Sequence, residues 1–366
     1  QESGLHSTPN EMEDRRSVQE EIFGGSLQYS GNKSKLSLNF VHAKYGADLQ
    51  RRIQPYNQFY FQGDELSNLS LAYRFKLWRI NLFGETAIND NSTLASINGL
   101  SVALTSSTSL VIVNRYYPVN FYAVKSNSFG EKHGSRNEQG TYIAFEFVPY
   151  ANLKLTTWFD NYRFPWLRFG VDAPSKGHEF ALQLNYFHSR DFQVYCRFRS
   201  EQSESNLKQE NTAVTKLLSN KKQSTRVHLQ YIVAKGLVLK NRIEYVSISD
   251  DESSDEGWLM YQDISYAFRN IPLKIYARYA LFDTENWASR VYAWENDVLY
   301  AFSVPAMYSK GTRTYLMAKY SISKNIDAWA RISRTSYTNK EEIGSGLTTI
   351  NGNTKTEVKL MLRVKF

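Results

Sequence analysis

Cysteine is all but missing from this chain of 366 residues: Cys196 stands alone, which excludes an internal disulfide framework and fits no multi-cysteine metal site. It sits on a strand position expected to face lipid, as a small apolar filler. No run of about 18 apolar residues exists either, which excludes a helical membrane span. The chain opens at Gln1 with no basic n-region, no apolar h-region and no cysteine. A secretory signal is therefore expected to be removed or to lie outside the sequence, and no lipoprotein anchor is expected. Catalytic motifs are lacking as well: no HExxH, GxSxG or glycine-rich phosphate loop accompanies His6, His42, His133, His178, His188 and His228. His188 with Ser189 and Asp191 is the one local cluster of suitable types. It falls at an expected periplasmic turn, whereas a barrel hydrolase carries its catalytic groups at the outer rim, so neither an enzyme nor a cofactor is expected.

What is present is aromatic and alternating. Tyrosine (25) and phenylalanine (21) abound beside 8 prolines, and a hydrophobic content of 42% coexists with a mean hydropathy of -0.49. A barrel combines these naturally, because apolar and polar residues alternate along every strand and no segment is oily throughout. Closed strand pairing is also the other way to satisfy every backbone N–H and C=O in lipid. Residues 1–21 are polar, with a short helix expected from Pro9, Thr8 as its cap and Glu11 near its start. From Ile22 the period is two: Val227, Leu229 and Tyr231 face one way, Arg226, His228 and Gln230 the other. In the last segment Val358, Leu360, Leu362, Val364 and Phe366 line one face, opposite Glu357, Lys359, Arg363 and Lys365. A terminal Phe366 closing an amphipathic strand resembles the ending by which outer-membrane barrels are read by their assembly machinery.

The expected fold is all-β, an antiparallel transmembrane β-barrel of about 17 or more strands over 22–366, preceded by the polar segment 1–21. Short turns are expected near residues 31–33, 76–78, 106–108, 149–152, 190–191, 234–236, 270–272 and 323–325. Mostly longer loops are expected near 46–65, 89–92, 117–138, 164–176, 201–223, 249–257, 284–310 and 338–354. Short periplasmic turns and long extracellular loops are what barrels show. With Phe366 in the periplasm the count of about 17 places Gln1 outside, although single-chain bacterial barrels have even counts. Strands are then expected from a preceding segment or a second chain. Residues 290–295 and 299–304 could be two further short strands, which would leave the parity odd.

Four stretches carry a family resemblance: SGLHSTP at 3–9, RFPWLRFGVDAPSKG at 163–177, the run from ARYALFDTENW to GTRTYL at 277–316, and IGSGLTTINGNTKTEVKL at 343–360. They resemble the carboxyl-terminal barrel of Bacteroidota outer-membrane proteins described as helix-hairpin-helix or competence-related, over essentially the whole chain. In that family a helix-hairpin-helix segment and further strands precede this region, which the resemblance implies here as well. This sequence shows no such hairpin, so no DNA-binding residue is carried over. The resemblance implies a location and an architecture.

Charges on the inward positions are the most informative candidates. Arg74, Arg197, Arg199, Arg226, Lys240, Arg242, Lys274, Arg278, Arg331, Lys359, Arg363 and Lys365 stand against Glu146, Asp160, Glu179, Glu244, Asp327 and Glu357. An open interior with this excess would favour anions. Alternatively the charges pair across strands and pack with Tyr195 and Tyr276 into a filled lumen. The acidic run 250–256, with Asp250, Asp251, Glu252, Asp255 and Glu256, could bind Ca²⁺ but lacks EF-hand spacing; a solvated loop bridged through divalent ions to lipopolysaccharide is the other reading. Trp78, Trp158, Trp258, Trp294 and Trp329 could stack bases or sugars, or anchor strand ends at the interface, while Trp166 and Trp287 are expected to pack in outer loops.

A net charge of +8 is spread along strands, so nucleic acid is not an expected partner. The expected role is a structural or accessory subunit of a larger assembly in the outer membrane of a Gram-negative bacterium, for protein insertion, secretion or uptake. Its expected partners are outer-membrane lipid, lipopolysaccharide and other outer-membrane proteins. A solute channel with mild anion preference is the alternative, and a DNA-binding or uptake component, suggested by the family name alone, is a second.

Overall fold

The computed structural model describes residues 8–207, 216–250 and 253–365. The chain opens on one short helix, α1 (Pro9–Glu13), closed by a capping box in which the Thr8 hydroxyl accepts from Glu11 N and the Glu11 carboxylate accepts from Thr8 N. Apart from two 3-10 turns, Pro55–Asn57 and Gly346–Thr348, the elements after it are strands: β1 (Glu20–Ser30), β2 (Ser34–Leu49), β3 (Gly63–Leu77), β4 (Ile80–Asn89), β5 (Leu94–Ala103), β6 (Thr108–Tyr117) and β7 (Glu138–Tyr150). Then come β8 (Leu153–Phe164), β9 (Ser175–Phe187), β10 (Phe192–Asn206), β11 (Leu217–Ala234), β12 (Leu237–Ser249), β13 (Ser254–Ala267) and β14 (Leu273–Thr284). The last are β15 (Val291–Tyr292), β16 (Ala306–Met307), β17 (Lys310–Ser321), β18 (Ile326–Tyr337), β19 (Glu342–Ile343), β20 (Ile350–Asn351) and β21 (Thr354–Val364). Seventeen of these belong to one large sheet, while β15 pairs with β16 and β19 with β20 in two small ladders.

The chain forms two compact units, Gln1–Phe147 with Thr156–Phe180 and Glu201–Asn220, and Val148–Leu155 with Ala181–Ser200 and Lys221–Phe366. In the first unit, antiparallel registers run from β1 through β7 in sequence order. Period-two alternation puts Leu66 and Ser70 of β3 on a covered face and Leu69 and Leu71 on an exposed one. The connection from β6 to β7 lies over the covered face, where Phe121 is buried with Tyr117 and Ala95.

The second unit repeats the scheme through β11, β12, β13, β14, β17, β18 and β21. Leu259, Ala280, Phe282 and Met317 are covered, whereas Ile243, Tyr279, Leu316 and Ile332 are exposed. The connection from β14 to β17 supplies the cover. Val291, Ala293 and Met307 from that segment are packed against Leu259, Phe282 and Tyr337.

Both edges of β2 are taken, by β1 and β3, and both edges of β3, by β2 and β4. Likewise β18 lies between β17 and β21, and β10 between β9 and β11. Residue-level registers tie β1 to β2 and β21 to β18. Val358, Leu360 and Leu362 of β21 are 65%, 78% and 62% exposed, against 51% for Leu316 and 48% for Ile332 on strands flanked at both sides.

Two loop assignments change. The polar run 201–223 is mostly strand, because its side chains bond to each other across the pair: Gln202 Nε2 donates to Ser219 Oγ (2.7 Å) and Asn220 Nδ2 to Ser205 Oγ (2.6 Å). Only 207–216 remains between β10 and β11. Nor do 290–295 and 299–304 add strands to the large sheet. Pairing there is confined to β15 with β16 and a bridge from Glu295 to Ser303, because the segment is occupied in covering the sheet.

Candidate functional site

The second unit concentrates its charge where the segment 285–309 meets the sheet. Within that segment, Trp294, Glu295, Asn296 and Asp297 follow Val291 and Ala293, whose burial draws the acidic residues in with them. Cations reach them from three strands. Arg313 of β17 donates through Nε and Nη2 to the two Glu295 oxygens (2.8 and 2.9 Å), and Arg331 of β18 donates to Glu295 Oε2 (2.5 Å). Lys359 of β21 donates to Asp297 Oδ2 (2.6 Å).

Main-chain carbonyls of the same segment complete the clamp. Arg242 Nη2 donates to Tyr292 O (3.0 Å), Arg278 Nη1 to Trp294 O (2.8 Å) and Arg331 Nε to Asn296 O (3.0 Å). Glu295, Arg331, Arg278 and Arg313 are all buried. A charge so placed must be paired, since desolvation costs several kcal/mol per ion. The arrangement fixes the segment to the sheet and leaves it little freedom to slide.

Other inward charges pair along the sheet itself. Register sets Arg226 opposite Glu244, where the guanidinium donates twice (2.9 Å each), and Arg242 shares that carboxylate. Arg278 lies opposite Asp263 and donates to both its oxygens (2.5 and 2.6 Å). Arg363 pairs with Asp327, its register partner. Glu357 is held by Lys355 (3.2 Å), and Glu179 accepts from Trp158 Nε1 (2.8 Å). Arg197 and Arg199 are half-buried on β10, Glu146 on β7 and Lys240 on β12, while Arg74, Lys274 and Lys365 are exposed. Tyr195 stacks on His228, with centroids 5.1 Å apart, and Tyr276 packs beside Tyr315 and Trp329. Phe366 lies outside the described residues.

The first unit holds a second buried cluster. Arg115 of β6 donates to Glu138 Oε1 (2.6 Å) and Asp160 Oδ1 (2.9 Å) and lies over the Phe129 ring. Glu138 in turn accepts from the backbone N–H of Glu131 and Lys132, tying the 118–137 segment to the same group. The Glu131 carboxyl is pushed up to about 7 by burial first, then by the negative fields of Asp160, Glu201, Glu179 and Glu138. Burial likewise lowers the Arg168 guanidinium.

Sequence reading named Asp160 but missed Arg115 and Arg313, although both obey the period that marks their neighbours. It also missed Glu138, Glu295 and Asp297. Glu138 opens β7, where alternation begins, while the signal of Glu295 and Asp297 was a carboxylate set close to small apolar residues, in a segment that covering power, not alternation, brings to the sheet.

The remaining candidates are local. In the acidic run, Asp250 accepts from Ser253 N (2.7 Å) and Asp255 from Asn286 Nδ2 (2.6 Å); Asp251 and Glu252 lie outside the described residues. Among the described residues no group of three His, Cys, Asp or Glu is gathered to hold a metal. Ser189 Oγ accepts from the N–H of Asp191 and Phe192 (3.2 Å each), closing a turn, and His188 lies 3.3 Å from the Tyr186 hydroxyl. Trp166 donates to Pro55 O (3.0 Å) and meets Phe59 edge-on, and Trp287 meets Tyr308 likewise. Cys196 is exposed.

No protein-family model matches the chain, and no curated protein does. Among solved structures it is similar to the outer-membrane-expressed OmpT of Vibrio cholerae, at 11% identity and a TM-score of 0.41, over 92% of this chain and 99% of that one. It is also similar to an anion-selective porin from Comamonas acidovorans, at 11% identity and 0.41 over 95% and 100%. The copper transporter OprC gives 9% identity and 0.47 over 93% and 71%. Likenesses this distant decide nothing about the chain, whose fold rests on its own strands: an all-β protein with one large antiparallel sheet.

Proposed function

We propose that this chain is an integral β-barrel of the outer membrane of a Gram-negative bacterium, serving as a structural or accessory subunit of a larger envelope assembly. Protein insertion, secretion and uptake machines are the assemblies this role suits. The observation that carries the reading is the exposure of β21, whose Val358, Leu360 and Leu362 stand out further than Leu316 and Ile332 on strands flanked at both sides. In lipid each unpaired backbone group costs several kcal/mol, so a sheet that spans the bilayer must close. Seventeen strands alternating in direction close antiparallel only with an odd number more. A preceding segment of the same protein, as the Bacteroidota resemblance implies, or another outer-membrane protein supplies them in this reading.

Two further observations support it. Exposed faces carry Leu, Ile, Val and Tyr at every second position, the surface a lipid bilayer covers. The basic side chains meet carboxylates and a covering segment, which favours a filled interior over an open anion path. No helix among the described residues is long and apolar enough to cross a membrane.

Extraction in mild detergent tests the proposal: the chain is expected to migrate in a complex heavier than its own 42.4 kDa. Migration as a lone closed barrel would overturn it. The channel reading keeps one supporting observation, that Lys240 has no ion pair among the described residues while sharing a face with Arg226 and Arg242. Steady anion-selective current in planar bilayers would favour that alternative.

A further inference from the structure

The first unit contains a cavity of about 350 Å³ between β2–β5 and the segment 118–137. That volume falls within the range of small-molecule sites, roughly 300–1,000 Å³. Register explains the room. Asn39 of β2 lies opposite Ser70 of β3, Ser70 opposite Ala87 of β4, and Ala87 opposite Ala95 of β5, so one row across four strands carries only small side chains. The wall above them is fastened in place. Asn68 donates to Tyr122 O (2.9 Å) and accepts from Val124 N (3.2 Å), and the Tyr117 hydroxyl donates to Phe129 O (2.9 Å).

The lining is chemically uneven. Val41, Ile97 and Phe121 give it apolar walls, and amides and hydroxyls give it hydrogen-bonding groups. Asn39 already donates to Ser70 Oγ (3.1 Å) and accepts from Ser26 Oγ (2.7 Å), yet its amide retains a second N–H and a second lone pair. Glu85 is the sole charged residue among those lining the cavity. Its carboxylate repels anions and can accept from two adjacent hydroxyls at once.

We propose that this cavity binds a neutral, hydroxylated small molecule of mono- to disaccharide size. Glu85 accepts from vicinal hydroxyls, Asn39 and the serines exchange further hydrogen bonds, and Val41, Ile97 and Phe121 cover the ring's C–H faces. The site lies wholly within the first unit and is independent of the outer-membrane reading.

The test uses the full chain in a detergent without a sugar headgroup, titrated with D-glucose, maltose and sodium gluconate and followed by ligand-observed NMR. Saturable binding of glucose or maltose in the millimolar range, with dissociation constants of about 1–10 mM, is expected, and none of gluconate. Glu85→Ala is expected to weaken binding about tenfold through loss of the charge-assisted bonds. Ala87→Leu is expected to abolish it by filling the row of small side chains. Ser70→Val, which removes the hydroxyl that accepts from Asn39 and puts two methyl groups into the row, gives a second probe if Ala87→Leu fails to fold. No saturable binding of either sugar, equal binding of gluconate, or unchanged affinity in a folded Ala87→Leu or Ser70→Val chain would overturn the proposal.

Discussion

A single carboxylate, Glu295, faces two guanidiniums with its side chain fully buried. Glu295→Gln leaves Arg313 and Arg331 without their shared counter-charge in a dry site, and the expected cost is about 3–5 kcal/mol, the usual penalty for breaking a buried pair. Urea unfolding of the refolded protein measures it. An exposed pair provides the control: Lys44 bonds Glu65 at the surface, where water screens the charges, and Glu65→Gln is expected to leave the midpoint unchanged. Glu131 behaves in the opposite sense, because its carboxyl is held above its ordinary range. A raised acid favours the folded segment while protonated, so its contribution is fully present below the ordinary glutamate range and is lost as pH rises through about 7. Glu138, Asp160, Glu179 and Glu201 surround it, with Arg115 as the nearby cation. Hydrogen exchange across 118–137, corrected for intrinsic rate, is expected to be slower at acid than at alkaline pH, and Glu131→Gln should remove the difference.

At the level of the element, alternation made the strands legible. In β12, Lys240, Arg242 and Glu244 fall on one face and Leu239, Ile243 and Tyr245 on the other, as period two requires. Turns were legible for the same reason, since Gly236 with φ +95° closes the β11–β12 hairpin at a backbone angle that glycine favours. The polar tips of β10 and β11 were not legible, because serine, asparagine and glutamine read as loop until they are seen bonding across the pair. The covering segments were illegible for a different reason. Glu295 and Asp297 belong to no periodic element, and only the sheet beneath shows which cations they meet. Ile243, near the middle of β12 and 56% exposed, tests what lies outside the sheet. Facing lipid, Ile243→Lys is expected to cost about 2–4 kcal/mol and to reduce assembly into membranes. Facing water it would be neutral, so an unchanged folding yield in lipid vesicles counts against the membrane assignment.

For the molecule as a whole, the decisive feature is the flank of β21 away from β18. Backbone groups along β21 that do not face β18 have the same need in lipid as those that do, and their apolar neighbours Leu360 and Leu362 stand out further than side chains on flanked strands. A strand from elsewhere would satisfy both at once, adding main-chain bonds and covering the exposed flanks by β-augmentation. Placing a thiol at the edge reads this directly. In a Cys196→Ser background, Leu362→Cys treated in native membranes with a short bifunctional thiol-reactive cross-linker of about strand-to-strand reach, roughly 5–8 Å, is expected to capture a neighbouring chain or segment. Leu316→Cys, on β17 between β14 and β18, has both flanks filled by its own chain and is expected to yield only internal products. Equal capture from the two positions would mean that contact is general collision in the membrane, and the strand-pairing account of the edge would fall with it.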